Sequence, residues 1–253
     1  MITATGTRAE ARKSLTGKWG KGALITLCYS IVEGAISFIQ NIGQNSGNNT
    51  IQIILSILAS IISVPLSYGL LVSFIKLKRD EEVNTFDFLT IGFSNFSRAW
   101  LIALNVFLKM LLPVVLIVLS IILLGVFTAL SRGASNSVFL VLMVIALISC
   151  IAGYIWALVR SFSLILTYYI SYDEPNLSAS ECCKKSMEKM KGNRGNYFTL
   201  TLSFIGWAFL SILTLGIGFF WLLPYINVSN VCFYEEVMGK KEENKEETKV
   251  IEE

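Results

Sequence analysis

The sequence predicts an all-α, polytopic integral membrane protein with six transmembrane helices paired as three hairpins. Three observations carry that prediction. Hydrophobic residues make up 54% of the chain and charged ones only 15%, a balance unlike that of soluble domains. The apolar residues fall in long unbroken runs, which in lipid are helices unless they close a barrel, and the strand alternation of a barrel is absent. The basic residues gather at one set of run ends, as the positive-inside rule requires of short loops.

Residues 1–20 form a basic amphipathic segment. Thr7-Arg8-Ala9-Glu10 has the form of a capping box. Ala11, Leu15 and Trp19 then recur every four residues, with Arg8, Arg12, Lys13 and Lys18 elsewhere. The pattern suits a helix lying on anionic headgroups; a solvated helix end would look the same. Gly17 and Gly20 are candidate hinges into the first span, 21–41, which carries Glu33. That first apolar core lacks an A-x-A-like site and runs on into a full span, so it is expected to be retained. An uncharged Asn/Gly-rich loop follows, then a second span, 52–75, closed by Lys76, Lys78 and Arg79.

Residues 80–97 are a polar-aromatic connector whose Phe86, Phe88 and Phe93 are expected at the membrane interface. Two apolar stretches follow, 99–130 and 138–170, holding one base each, Lys109 and Arg160. Each reaches about 48 Å as a helix, too long for one perpendicular span. Long tilted helices, bent at Pro113 and Gly153, are the preferred reading. The alternative breaks each near its base and lays the remainder on the inner surface.

The third unit opens with a cytoplasmic loop, 171–196. Asp173-Glu174-Pro175 stops one helix, and Ser178-Ala-Ser-Glu181 starts another with a capping box. Ala179, Cys183, Met187 and Met190 set out an apolar stripe expected to face lipid or a partner. Gly192 and Gly195 are candidate hinges into the last membrane stretch. Residues 197–236 carry no charge before Glu235 and at about 60 Å are too long for one span. Thr214-Leu-Gly216-Ile-Gly218 marks a turn, giving spans 219–236 and 197–213. The charged residues 237–253 read as a disordered tail. Leu15-Thr-Gly17-Lys-Trp-Gly20 and Met190-Lys-Gly192-Asn-Arg-Gly195 align without a gap, and Thr26-Leu27 and Thr201-Leu202 follow at the same distance. The match suggests an internal repeat.

Six spans put both termini, 76–98 and 171–196 on one side. The opposite loops, 42–50, 131–137 and 214–218, hold a single base, Arg132. Both termini are therefore expected in the cytoplasm.

The motifs of the third unit, together with Pro224-Tyr225, Phe233-Tyr-Glu235 and the N-terminal Leu15-x-Gly17-x-Trp19-Gly20, resemble domain-of-unknown-function family 975. The resemblance covers residues 8–236 and departs at Ala152-Gly153, where the family's fourth span carries a Pro-Gly break. It implies a multi-pass protein of the bacterial cytoplasmic membrane and no particular reaction.

The chain has no histidine and five scattered cysteines, a poor basis for a metal or haem site, and no cofactor is expected. Nor do the residues assemble a nucleophile with its base. The expected function is that of a non-catalytic accessory or interaction protein whose partners are the bilayer, its anionic headgroups and a membrane protein, with no nucleic acid. A transporter or channel is the alternative, because Glu33, Lys109 and Arg160 are ionisable groups inside spans. Glu33 is expected to pair with a base, Arg160 before Lys109, or else to be protonated or face a wet cavity.

Overall fold

A computed structural model describes residues 3–45, 47–131 and 137–239. The described residues form helices and no strand. Five helical stretches are long and apolar enough to cross a bilayer, which is compatible with a multi-pass membrane protein. They are α2 (Trp19–Asn45), α3 (Asn49–Lys78), α5 (Phe96–Ser131), α6 (Ser137–Leu164) running on into α7 (Thr167–Asp173), and α9 (Arg194–Leu202) running on into α10 (Ile205–Leu213). The final helix, α11 (Phe219–Met238), is not among the five. Three shorter helices lead into hairpins: α1 (Ala4–Leu15), α4 (Asp87–Ser94) and α8 (Ala179–Lys189).

The chain divides into three units, each a leading helix followed by a hairpin. The hairpins α2–α3 and α5–α6 pack along their own length. In the second hairpin Arg160 lies beside Lys109 and Ser149 beside Ser120. Eleven residues up α5 correspond to eleven back down α6, so the two run antiparallel. The leading helices do otherwise. α1 packs mainly on α11 and α9 of the third unit, α4 on α3 of the first, and α8 on α5, α6 and α7 of the second. Each unit therefore covers the foot of a neighbour, and the three close into a ring.

That ring holds the buried core. Ala11, Leu15, Ile25, Phe74, Phe88, Ile102, Ile170, Met190, Leu200 and Phe233 belong to one cluster drawn from all three units. The far ends of α2, α3, α5 and α6 expose their leucines, isoleucines and valines, as helices do when lipid is their solvent. The closest packing is backbone on backbone. A Cβ on Gly69 would sit 2.0 Å from the Phe88 carbonyl oxygen, and one on Gly92 2.4 Å from that of Pro65. Phe88 is consequently buried in the protein and not at an interface, while Phe86 and Phe93 remain exposed.

α5 is unbroken through Lys109 and Pro113, 36 residues or about 54 Å, as the long-helix reading expected. α6 is likewise unbroken through Gly153 and Arg160 and gives way only at Ile165-Leu166. Gly153 acts in packing: a Cβ there would meet Ile117 at 2.9 Å. Elsewhere the structure corrects the sequence reading. α1 starts at Ala4 on a Thr3 cap, and Thr7, the expected cap, lies buried inside it. The buried face of α8 is Cys182, Cys183 and Ser186 rather than a stripe through Met187, and it meets protein: Ser186 donates to the Ser163 carbonyl at 2.8 Å. α11 continues to Met238, two residues past the expected span end. The loop residues 132–136 and tail residues 240–253 lie outside the described residues.

The internal echo is structural. The caps Thr3 and Ser178 and the turn glycines Gly17 and Gly192 are all 175 positions apart. Lys18 donates to Leu15 and Asn193 to Met190, at 2.9 and 3.1 Å, closing the same turn. Gly17 and Gly192 both hold a left-handed φ, +79° and +91°, which glycine adopts without a steric penalty. Gly20 and Gly195, the other two candidate hinges, sit in the first turns of α2 and α9 and take no such φ.

Because backbone atoms cannot move aside as a side-chain tip can, Gly92→Ala should lower stability by about 1–3 kcal/mol. Gly34→Ala, whose Cβ would meet nothing within 4 Å, should be neutral or slightly stabilising. Thermal unfolding in detergent compares them; equal melting temperatures would remove the close α3–α4 contact.

Candidate functional site

Three hairpin feet meet at one charge cluster. α3 ends in Lys78 with Arg79 as its cap, α7 ends in Asp173, and α11 presents Tyr234 and Glu235. Arg79 forms a two-pronged pair with Asp173 at 2.7 and 2.8 Å and donates Nε to Glu235 at 3.0 Å. Lys78 pairs with Glu235, and the Tyr234 hydroxyl donates to Asp173 at 2.7 Å. The carboxylates are nearly covered, 5% and 9% exposed, so their charges depend on these partners. The Arg79 guanidinium is held protonated well above its ordinary range, chiefly by its hydrogen bonds to Asp173.

A second guanidinium binds carbonyls instead. Arg98 donates to Ser171, Pro175, Glu174 and Leu177 at 2.9–3.3 Å, satisfying the free acceptors at the end of α7. Lys18 pairs with Asp80 and donates to the Leu77 carbonyl at 3.0 Å, tying the start of α2 to the end of α3. On α8, the capping box at Ser178 and Glu181 is complete. The Ser178 hydrogen bonds lower the pKa of Glu181.

The ionisable groups deeper in the helices do not converge. Glu33 accepts a hydrogen bond from Ser63 at 3.0 Å, both within the first hairpin. Arg160 donates to the Lys109 main-chain carbonyl at 3.3 Å, both within the second. The expected ion pair between Glu33 and a base is therefore not formed in this structure, and each group is engaged by its own hairpin.

Beside the third hairpin lies a cleft of about 340 Å³ lined by Arg12, Trp19, Trp207, Leu210, Trp221 and Tyr225, among others. α1 supplies Arg12 to its lining, and the first turn of α2 supplies Trp19, whose ring lies 6.0 Å from that of Tyr225. α10 and α11 supply the apolar wall. A cation on an aromatic and aliphatic cleft fits a ligand with an anionic head and an apolar chain.

The sequence profile of one family spans residues 1–241 and with them the whole described fold. The chain belongs to the family described as "Protein of unknown function (DUF975)". No curated protein and no solved structure gives a match. In this DUF975 member the charge cluster is built from residues read in sequence only as helix stops: Arg79, Asp173 and Glu235. Their separation along the chain hid the pairing. The available signal was that each follows an apolar run on the same predicted side.

Removing one member of a buried pair leaves its partner's charge uncompensated, so Asp173→Ala should cost about 3 kcal/mol. Tyr234→Phe, which loses one hydrogen bond to a charge, should cost about 1.5 kcal/mol. Exposed Glu188→Ala should cost little. Melting temperatures in detergent test the order; Asp173→Ala no worse than Glu188→Ala would refute the cluster's role. Cys182 and Cys183 are fully buried, and burial pushes both thiols up. A raised thiol stays protonated and poorly nucleophilic through neutral pH. Both should resist alkylation at pH 8 until the protein is denatured, read by mass spectrometry of the α8 peptide; prompt alkylation would contradict their burial.

Proposed function

We propose that this protein is a non-catalytic accessory factor of the bacterial cytoplasmic membrane that holds anionic phospholipid at the cleft between α1 and the third hairpin. The cleft carries the reading: Arg12 and three tryptophans are among the residues that line it. Indole rings favour the headgroup level, and a base near an anionic surface contributes about 1 kcal/mol.

Orientation supports the same reading. Lys18, Lys21, Lys76, Lys78 and Arg79 crowd the feet of the first hairpin, while the opposite connection, 42–50, has no charge. The feet, the leading helices α1, α4 and α8, and both termini then belong on the cytoplasmic side. α2, α3, α5 and α6 with α7 cross the bilayer in this reading. Six crossings require α10 and α11 to reach the outer face as well. The rival reading, a transporter, rests on Glu33, an ionisable group inside α2.

The test is lipid retention. Protein purified in mild detergent with phosphatidylglycerol and phosphatidylcholine supplied should keep the former in excess, counted by mass spectrometry. Arg12→Gln should weaken that preference about fivefold, the equivalent of about 1 kcal/mol. Trp207→Ala should reduce retention of both. Equal preference in wild type and Arg12→Gln would sink the proposal, and a Glu33-dependent ion or solute flux in proteoliposomes would establish the rival.

A further inference from the structure

The third hairpin is too short to do what its sequence suggests. Its foot can be located from six contacts. A Cβ on Gly22 would lie 3.1 Å from Pro224 and 3.6 Å from Leu77. The Trp19 and Phe204 rings both rest on Tyr225, at 6.0 and 5.2 Å. Arg8 donates to the Ser203 carbonyl at 3.3 Å, and the Tyr225 hydroxyl to the Arg8 carbonyl at 3.4 Å. Ser203-Phe204 and Pro224-Tyr225 are thus level with the charged ends of α2 and α3, beside Lys18, Lys21 and Lys78.

From that level α10 has nine residues before its turn, about 14 Å. On the way back, α11 has only Phe219–Leu223 before Pro224, which is shorter still. α2 runs on from Gly22 to Asn45, about 35 Å along its axis, enough for a hydrocarbon layer of about 30 Å. Tilt can only shorten the reach of α10. The preceding helix cannot add to it, because α9 lies below the foot: Tyr197 packs on Phe233 at 5.2 Å, next to the charge cluster.

The turn leaves none of its backbone donors open. An unsatisfied backbone group is costly in hydrocarbon. Every backbone N–H from Thr214 to Leu222 has an acceptor within the hairpin. Gly216 donates to Ser211 at 3.0 Å and Ile217 to Thr214 at 3.2 Å, and Gly218 donates to the Thr214 hydroxyl at 2.9 Å. At the apex Leu215 is 95% exposed and holds φ +54°, a strained conformation for leucine. An aqueous turn there would favour Asn or Gly, as in the connection between α2 and α3, where Gly47 takes φ +68° beside Asn48. A fully exposed leucine at an apex suits acyl chains.

We propose that α10–α11 is a re-entrant hairpin: it enters from the cytoplasmic face, turns at Leu215 within the inner leaflet and returns. Its partner is then inner-leaflet acyl chain, met by Phe209, Ile212, Leu213, Leu215 and Ile217, all exposed. The proposal rests on the cytoplasmic orientation of the feet given above. A crossing hairpin and a re-entrant one both return the chain to the same side, so the position of the termini does not separate them.

The experiment uses the full chain in intact cells and a membrane-impermeant maleimide. Single substitutions Leu215→Cys, Ile217→Cys, Asn45→Cys and Asn244→Cys are each compared with wild type, whose own thiols set the blank. Asn45→Cys should be labelled, whereas Leu215→Cys, Ile217→Cys and Asn244→Cys should match the blank. After denaturation each variant should take up six labels against five for wild type, which shows that the added thiol was present and reactive. Labelling of Leu215→Cys or Ile217→Cys together with Asn45→Cys would put the tip outside and overturn the proposal. Labelling of Asn244→Cys but not Asn45→Cys would invert the orientation instead. In that case an unlabelled Leu215→Cys would fit a tip in the cytoplasm as well as one in the bilayer, and the proposal would fall with the orientation it rests on.

Discussion

Two acids and two bases hold the three hairpins together at their feet. Asp173 comes from the second unit, Glu235 from the third, and Lys78 and Arg79 from the first, so the cluster is neutral only when all three are present. Removing the first unit would leave two nearly covered carboxylates without counter-charge, and removing either other unit would leave a partly buried base short of a partner; such charges are costly out of water. Helices in lipid have no hydrophobic effect to draw them together along their length. The far ends of α2, α3, α5 and α6 accordingly expose apolar side chains. The specific attraction sits at one end, where both charge and backbone polarity can be satisfied.

The ring of leading helices follows from the same constraint. A leading helix packed on its own hairpin would complete its unit and leave the units free to drift apart. Placed on the neighbour's hairpin, α1, α4 and α8 each carry a covalent connection across a boundary. The repeat shows how this is achieved with little sequence. Thr3 and Ser178 cap, Gly17 and Gly192 turn, and Leu15 and Met190 are both fully buried. The local geometry is thus shared, and only the surfaces met are different. α1 meets Tyr225 and Glu236, while α8 meets Ser163 of α6.

Much of the architecture was legible because membranes impose simple rules. Long apolar runs became helices, and Ser178 and Glu181 formed their capping box; Gly17 and Gly192 hold a left-handed φ. What stayed hidden depends on distance between segments. Ser186 looks like a solvated residue on α8 until Ser163 is placed opposite it. Phe88 looks interfacial until Gly69 and Gly92 let α4 sink onto α3. Glu33 and Arg160 are both costly in lipid, which invited a pairing. Each found its partner within its own hairpin, on Ser63 and the Lys109 carbonyl.

The two glycines of the last turn show why a run's length does not settle its depth. Gly216 carries the left-handed φ of +89°. Gly218 has ordinary helical angles, and its need is space, since a Cβ would lie 2.7 Å from the Ser211 hydroxyl. The turn is therefore a tight reversal that draws α10 against α11. The other boundary of α10 is set from outside its unit. At Ser203-Phe204 the helix slips to shorter-range bonds, with Phe204 donating to Thr201. Arg8 of α1 takes the Ser203 carbonyl there. A break in a helix persists where something else satisfies the released backbone. The uncharged stretch that begins at residue 197 is thus divided between a packed foot and the short α10–α11 hairpin. The divider is a basic residue nearly two hundred positions earlier in the chain.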